Sequence, residues 1–341
     1  MFSIWKILDQ YLQRDDSIPD IRPVNLYPSE ASVSYQNSHG EVVVKGTCIR
    51  RAWLRIKVAE QMAKTRQKQV DIPIRDKMIS VVPTRIDLGS LWRFKAGDYF
   101  ELLVKDQMRD AGILHTGHKK FFTPLRYGYF LSGELDMIAK NPLSGGLLGT
   151  EVKSISGYDA QRQIIGDPYR RWKGKPKHSH VMQAAIYDDQ WPELEEFKLL
   201  YICRDNQLKV EFDIKVDTSD PSKPIFIDGE RIKEYTLSDV YNRYYVLCQQ
   251  LTAGTIPARD YDLIYSDDQM NRMSARKELS KTNAETWKKY WDREQEYKSG
   301  KKNIRRLKRP VVSPWNCLPH YCPFSNFCYR EDGSSRDDEL M

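Results

Sequence analysis

No run of about 18 or more apolar residues occurs in the sequence, which excludes an ordinary membrane-spanning helix. Cysteine is scarce. Six residues in 341, unevenly placed, are too few for a disulfide scaffold in a chain of this length. Residues 1–16, MFSIWKILDQYLQRDD, lack the basic start, apolar block and small-residue cleavage site of a secretory signal. No internal repeat is visible. These absences predict an intracellular, reducing setting. Apolar residues make up only 40% of the chain, but the length still allows a sizeable core in one large or two small domains.

Charge is abundant and only mildly biased. Lys and Arg number 54 against 47 Asp and Glu, a net of +7. That balance permits a polyanionic partner without requiring one, so local clustering matters more. Two clusters stand out. In residues 155–180, Arg162, Arg170, Arg171, Lys173, Lys175 and Lys177 interleave with Tyr158, Tyr169 and Trp172. Cations hold phosphates and aromatic faces stack on unpaired bases, although most charge runs are simply solvated loops. In YKSGKKNIRRLKRP, Lys298, Lys301, Lys302, Arg305, Arg306, Lys308 and Arg309 form either a phosphate-tracking arm or a basic linker.

Periodicity places the elements. Residues 2–14 carry Phe2, Trp5, Leu8, Tyr11 and Leu12 at roughly helical spacing, and residues 15–40 read as an irregular wrap. Residues 41–45 form a short strand, with Thr47-Cys48 opening a helix. A long helix over 93–111 ends at Gly112 and points Tyr99, Leu102, Leu103 and Met108 toward the core. Runs 129–139 and 147–155 flank Asn141-Pro142-Leu143-Ser144-Gly145-Gly146, a hairpin with a loose connection. A helix begins near His180. FKLLYICRD and LKVEFDIKVD form an antiparallel pair, followed by a helix over 237–252 and one or two exposed polar helices in 267–310.

The hairpin concentrates the chemistry. Asp136 lies on its first strand, and Glu151 and Lys153, two residues apart, share a face of the second. With Asp136 opposite Glu151, two carboxylates and one ammonium converge. Two carboxylates that close repel, and a hard divalent cation such as Mg²⁺ or Mn²⁺ resolves the conflict. Asp136 followed by Glu151-Val152-Lys153 resembles the core motif of the PD-(D/E)XK nuclease superfamily. Two further features resemble its RecB-like branch. Gly97 is followed four residues later by Glu101, where relatives carry a helical His or Glu as a metal ligand. Gln183 and Tyr187, at i and i+4 on the next helix, match the pair that helps place the scissile strand.

The chain ends in WNCLPHYCPFSNFC, with Cys317, Cys322 and Cys328 close together and Cys48 far upstream. Three close thiols suggest a soft-metal site missing one ligand. One cysteine before the core and three after it resembles the CRISPR-associated and AddB-type RecB-like nucleases, whose four cysteines bind a [4Fe–4S] cluster. Their last three are commonly spaced C-x₂-C-x₅-C. Here the first gap is four residues, so His320 competes as a ligand and zinc is the alternative metal.

The resemblance implies an α/β, restriction-endonuclease-like core, a central mixed sheet flanked by helices. A metal–cysteine site joins its N- and C-terminal ends. The expected divisions are residues 1–40 as helix and linker, 41–330 as nuclease domain and 331–341 as acidic tail. Mg²⁺ or Mn²⁺ is held by Glu101, Asp136, Glu151 and the Val152 carbonyl, with Asp136, Glu151, Lys153, Gln183 and Tyr187 as catalytic residues. The implied activity is metal-dependent DNA exonuclease action on single-stranded or frayed ends, in recombination, repair or phage DNA metabolism. The implied setting is the cytoplasm of a bacterium or phage-infected cell, with a helicase or recombination protein as a further partner and no membrane. A CRISPR spacer-acquisition nuclease, a structure-specific endonuclease and a non-catalytic DNA-binding recombination factor are the alternatives.

Overall fold

The computed structural model describes residues 24–38, 40–65, 70–74, 77–81, 88–167, 172–301, 305, 307–314, 317 and 322–331, with positions 4, 8 and 9. The chain divides into two compact units, Met1–Ala258 and Arg259–Met341. The expected helix over 2–14, the tail after 331, Tyr169, Arg170, Arg171, Lys302, Arg306 and His320 lie largely or wholly outside the described residues.

In the first unit, β1 (Ser32–Gln36) pairs with β2 (Val42–Gly46) and leads into α1 (Ile49–Thr65). A second small hairpin, β3 (Val70–Ile74) and β4 (Lys77–Val81), precedes α2 (Leu88–Asp110). Then come β5 (Leu114–Pro124), β6 (Phe130–Lys140) and β7 (Leu147–Ile155). The crossover holds α3 (Tyr158–Ile164), the short β8 (Gly166–Asp167) and β9 (Trp172–Lys173), and α4 (His178–Gln190). β10 (Leu194–Cys203), β11 (Lys209–Val216), β12 (Ile225–Ile227), β13 (Glu230–Arg231) and α5 (Leu237–Ala253) complete the unit.

One sheet of seven strands organises it, in the order β13-β12-β11-β10-β7-β6-β5. β7 and β10 run parallel and the other neighbours antiparallel, so the sheet is mixed. A parallel pair needs a long crossover, which residues 156–193 supply. The expected β6–β7 hairpin forms. Its connection closes through Asn141, whose side chain accepts the Leu143 N–H at 3.0 Å, and through Gly145 at φ 77°.

Helices flank both sides of the sheet. On one side α4 buries Val181 through Asp188 against the sheet, with Ala184 and Ala185 allowing close approach and Tyr187 stacking on Phe197 of β10. Gly149 of β7 is required there, since a Cβ would meet Leu194 and Phe197 at 2.7 Å. On the other side α2 runs along β5, β6 and β7, with Gly97 facing Ser154.

Two expectations are corrected. Residues 15–40 are not irregular throughout. They include a 3-10 turn, Pro28–Glu30, and strand β1, and Leu26 is fully buried in a bridge to Leu131. Alternating Ser, Val and Tyr in β1 hid a strand inside a polar stretch. α2 is also rotated from its expected orientation. Tyr99 and Leu102 are exposed, while Leu91 and Phe100 are buried. The face holding Gly97, Phe100 and Glu101 turns inward, with Gly97 lying against Ser154 of β7.

The second unit contains α6 (Asp267–Ala275), α7 (Lys281–Lys298) and α8 (Ser325–Glu331). Its core is Met270, Trp287 and Tyr290, closed by Tyr265, Leu279, Trp291, Leu307 and Val312. Arg309, expected in a phosphate-tracking arm, packs its guanidinium 5.6 Å from the centre of the Trp287 ring and pairs with Asp267 at 2.7 Å. Lys301 pairs with Glu296 at 2.8 Å, so part of this basic run is spent on local ion pairs. Among the described residues, no helix is long and apolar enough to cross a membrane.

Candidate active site

The site forms where β6 and β7 part. Their ladder runs from Lys140–Leu147 to Met137–Thr150 and stops. The same register sets Asp136 against Glu151, the first pair beyond the ladder. Instead of a backbone bond, the Asp136 carboxylate accepts the Val152 N–H at 2.8 Å. Side-chain alternation then carries Glu151 and Lys153 to one face, where the Lys153 ammonium donates to Glu151 Oε1 at 2.6 Å.

α4 completes this face. Gln183 donates to the same Glu151 Oε1 at 2.7 Å and lies 3.3 Å from the Tyr187 hydroxyl. Tyr187 in turn donates to the Glu134 carbonyl at 3.0 Å. Gln183 and Tyr187 therefore lock α4 to β6 and β7 at the point where the strands separate. At the start of α4, His180 Nδ1 sits 2.8 Å from the Tyr201 hydroxyl, which already accepts the Lys177 N–H. Tyr201 lies across from Lys153 in the parallel register.

Glu101 approaches from α2. Asp136 raises the proton affinity of Glu101, and both raise that of Glu151, so the three acids share one electrostatic field. Burial, then Asp136, pushes Glu101 up to about 7, against the pull of Lys105 and Lys153. Burial raises Asp136 as well, although Lys153, the Val152 amide and His118 oppose it. Glu151 is 2% exposed and is pushed up to about 8 by burial, with Asp136 and Glu101 adding to the shift and Lys153 opposing it. Burial disfavours the Lys153 charge, but Glu151, Asp136 and Glu101 outweigh it, so its proton is held more tightly than usual. Burial, then Lys153, holds His180 well below its ordinary range.

These shifts describe negative charge lacking neutralisation. Glu151 Oε2 is buried with no hydrogen-bond partner, an uncommon state for a carboxylate oxygen. Three carboxylates, one of them with an orphaned oxygen, are a donor set suited to a hard divalent cation. No group of three His, Cys, Asp or Glu side chains among the described residues forms a ready cage for a metal. The donor chemistry nonetheless suits such a cation.

The basic stretch after β7 divides. Lys173 pairs with Asp228 at 2.7 Å and lies over the Phe212 ring, while Tyr158 and Trp172 are exposed. Its described backbone is tightly packed at Gly166. A Cβ on Gly166, at φ 93°, would meet the Trp172 carbonyl at 2.0 Å. Of the expected cluster ligands, Cys48 precedes α1 in the first unit. Cys317, Cys322 and Cys328 belong to the second, with Cys322 buried and the other two half-buried.

Three neighbours of the site have no sequence pattern of their own: His118, Glu134 and His180. His118 Nε2 lies 3.6 Å from Glu101 Oε1, and its Nδ1 lies 3.4 Å from Glu134 Oε1. The available cue was Gly117-His118 in the middle of a strand, since a strand glycine marks an irregularity.

Fold and site together define an α/β protein whose mixed sheet carries a partly buried acidic cluster with one lysine. No protein-family model matches the chain, and no curated protein matches it. Three solved chains match it. One, "Crystal structure of SSO0001", has a TM-score of 0.38 and 12% identity over 79% of this chain and 93% of its own, a likeness too slight to bear on function.

Proposed function

We propose that this chain is a Mg²⁺- or Mn²⁺-dependent deoxyribonuclease of PD-(D/E)XK type. One observation carries the reading: Asp136, Glu151 and Lys153 meet where β6 and β7 part, with Glu101 in the same field and Gln183 fixed on Glu151. Glu101, Asp136, Glu151 and the Val152 carbonyl would hold the cation. When bound, it supplies Lewis-acid stabilisation of phosphate charge and a more acidic water.

The chain's own residues do the rest. Lys153 keeps its proton among three acids, so its ammonium is available to orient water and steady charge on the phosphoryl oxygens. Gln183 holds Glu151 Oε1 and leaves Oε2 open. Tyr187 anchors β6 beside Asp136. The exposed Tyr158 and Trp172 offer faces for unpaired bases, which favours single-stranded or frayed ends, and the exonuclease mode is the one the family resemblance implies.

The second unit's Cys317, Cys322 and Cys328 supply thiols for the iron–sulfur or zinc centre expected from sequence. Iron, acid-labile sulfide and zinc assays on anaerobically purified protein separate those metals.

The activity test uses end-labelled single- and double-stranded DNA and closed circles with Mg²⁺, Mn²⁺ or EDTA. Shortening of linear strands only with metal is expected. Cleavage of closed circles redirects the reading to an endonuclease. DNA binding without turnover in any metal overturns it in favour of a non-catalytic recombination factor.

A further inference from the structure

β5 carries a left-handed residue beside the carboxylate cluster. His118 has φ 55° in mid-strand, a conformation that few residue types other than glycine, asparagine, aspartate and histidine adopt. Its neighbours stay in register, Gly117 with Met137 and Lys119 with Leu135. The strand nevertheless turns over at this point. A Cβ on Gly117 would meet Lys105 of α2 at 2.2 Å, whereas Lys119 lies over the Trp191 ring and Phe121 packs on Tyr187, on the α4 side. Residues two apart in a regular strand share a face, so His118 is the crease that separates them.

The crease delivers the imidazole between two carboxylates, 3.6 Å from Glu101 on α2 and 3.4 Å from Glu134 on β6. The Glu134 carbonyl is itself tied to Tyr187. Among the described residues, His118 is the one basic side chain within ion-pair distance of Glu101. Glu101 is a long side chain on a helix, and holding such a chain still costs entropy.

We propose that His118 is a positioning residue, whose imidazole, set by the left-handed crease in β5, holds the Glu101 carboxylate at the cation site. The inference rests on the reading of Glu101 as a cation ligand. Groups that orient a ligand from behind commonly govern metal affinity by about 10- to 100-fold.

The test is calorimetric Mn²⁺ binding to the full chain at fixed pH, with the melting temperature of the metal-free protein measured alongside. His118→Asn accepts the left-handed backbone but is too short to reach Glu101, and His118→Gly relieves the backbone while removing the imidazole. Both are expected to weaken Mn²⁺ binding about tenfold, roughly 1.4 kcal/mol, without lowering the melting temperature. His118→Gln, whose amide nitrogen can stand in for Nε2, is expected to bind within about threefold of wild type. Unchanged affinity in the Asn and Gly variants overturns the inference. Equal loss in all three, with a falling melting temperature, also overturns it, since the crease alone would then matter. Wild-type protein that binds no Mn²⁺ removes the reading of Glu101 itself.

Discussion

Loading the site with Mn²⁺ should expel protons, and the number expelled follows from the carboxyl groups. With Glu151 pushed up to about 8 and Glu101 to about 7, the first is about nine-tenths protonated at pH 7 and the second about half. A cation bound by ionised carboxylates therefore releases about one to two protons at pH 7 and progressively fewer as pH rises to 9. Asp136, shifted in the same direction, adds to the count. Titration calorimetry in buffers of different ionisation enthalpy gives the number as the slope of apparent enthalpy against buffer enthalpy. Glu151→Gln and Glu101→Gln should each lower the pH 7 value, the first by more. A proton count near zero, or one that does not fall from pH 7 to pH 9, refutes the reasoning. So does an unchanged count in Glu151→Gln.

The same carboxyls set the pH dependence of stability without metal. Their folded-state values lie above the unfolded ones, so their contribution is complete below about pH 4.5 and is lost as pH rises through about 7 to 8. Urea unfolding in EDTA should show a less stable protein at pH 9 than at pH 6, with Mn²⁺ reversing the loss. Gln183→Ala removes a 2.7 Å donor from a buried carboxylate and should cost about 1–3 kcal/mol in the same assay. Gly46→Ala is expected to cost about 2 kcal/mol or more, since φ is 90° and a Cβ would meet the Ala31 carbonyl at 2.1 Å. Lys153→Ala and Asp136→Ala should abolish metal-dependent cleavage while circular dichroism shows an intact fold. Cleavage persisting in both removes the site from the reaction.

What could be read from sequence followed the strength of local periodicity. Strand alternation is strict, so a loop at 141–146 sufficed to place Asp136 near Glu151, one step past the last observed pair, Met137–Thr150. The i, i+4 rule likewise put Gln183 and Tyr187 on one face of α4, where both reach the site. The long-range α2 was harder. Apolar residues occur on both of its sides, so periodicity chose Tyr99 and Leu102 for the core although both are exposed. The face that packs on β7 is instead the one holding Gly97 and Phe100. β1 was hidden by polar neighbours, and the division after Ala258 leaves no compositional mark. His118 was out of reach for a different reason: a single left-handed residue has no period, and its partners, Glu101 and Glu134, come from other elements.

Crystals soaked in MnCl₂ and measured at the manganese edge locate the cation without reference to turnover. One strong anomalous peak bounded by the carboxylates of Glu101, Asp136 and Glu151 is expected, displaced in Glu151→Gln. Ordered density for all three acids with no peak between them contradicts a cation-dependent reaction at this sheet.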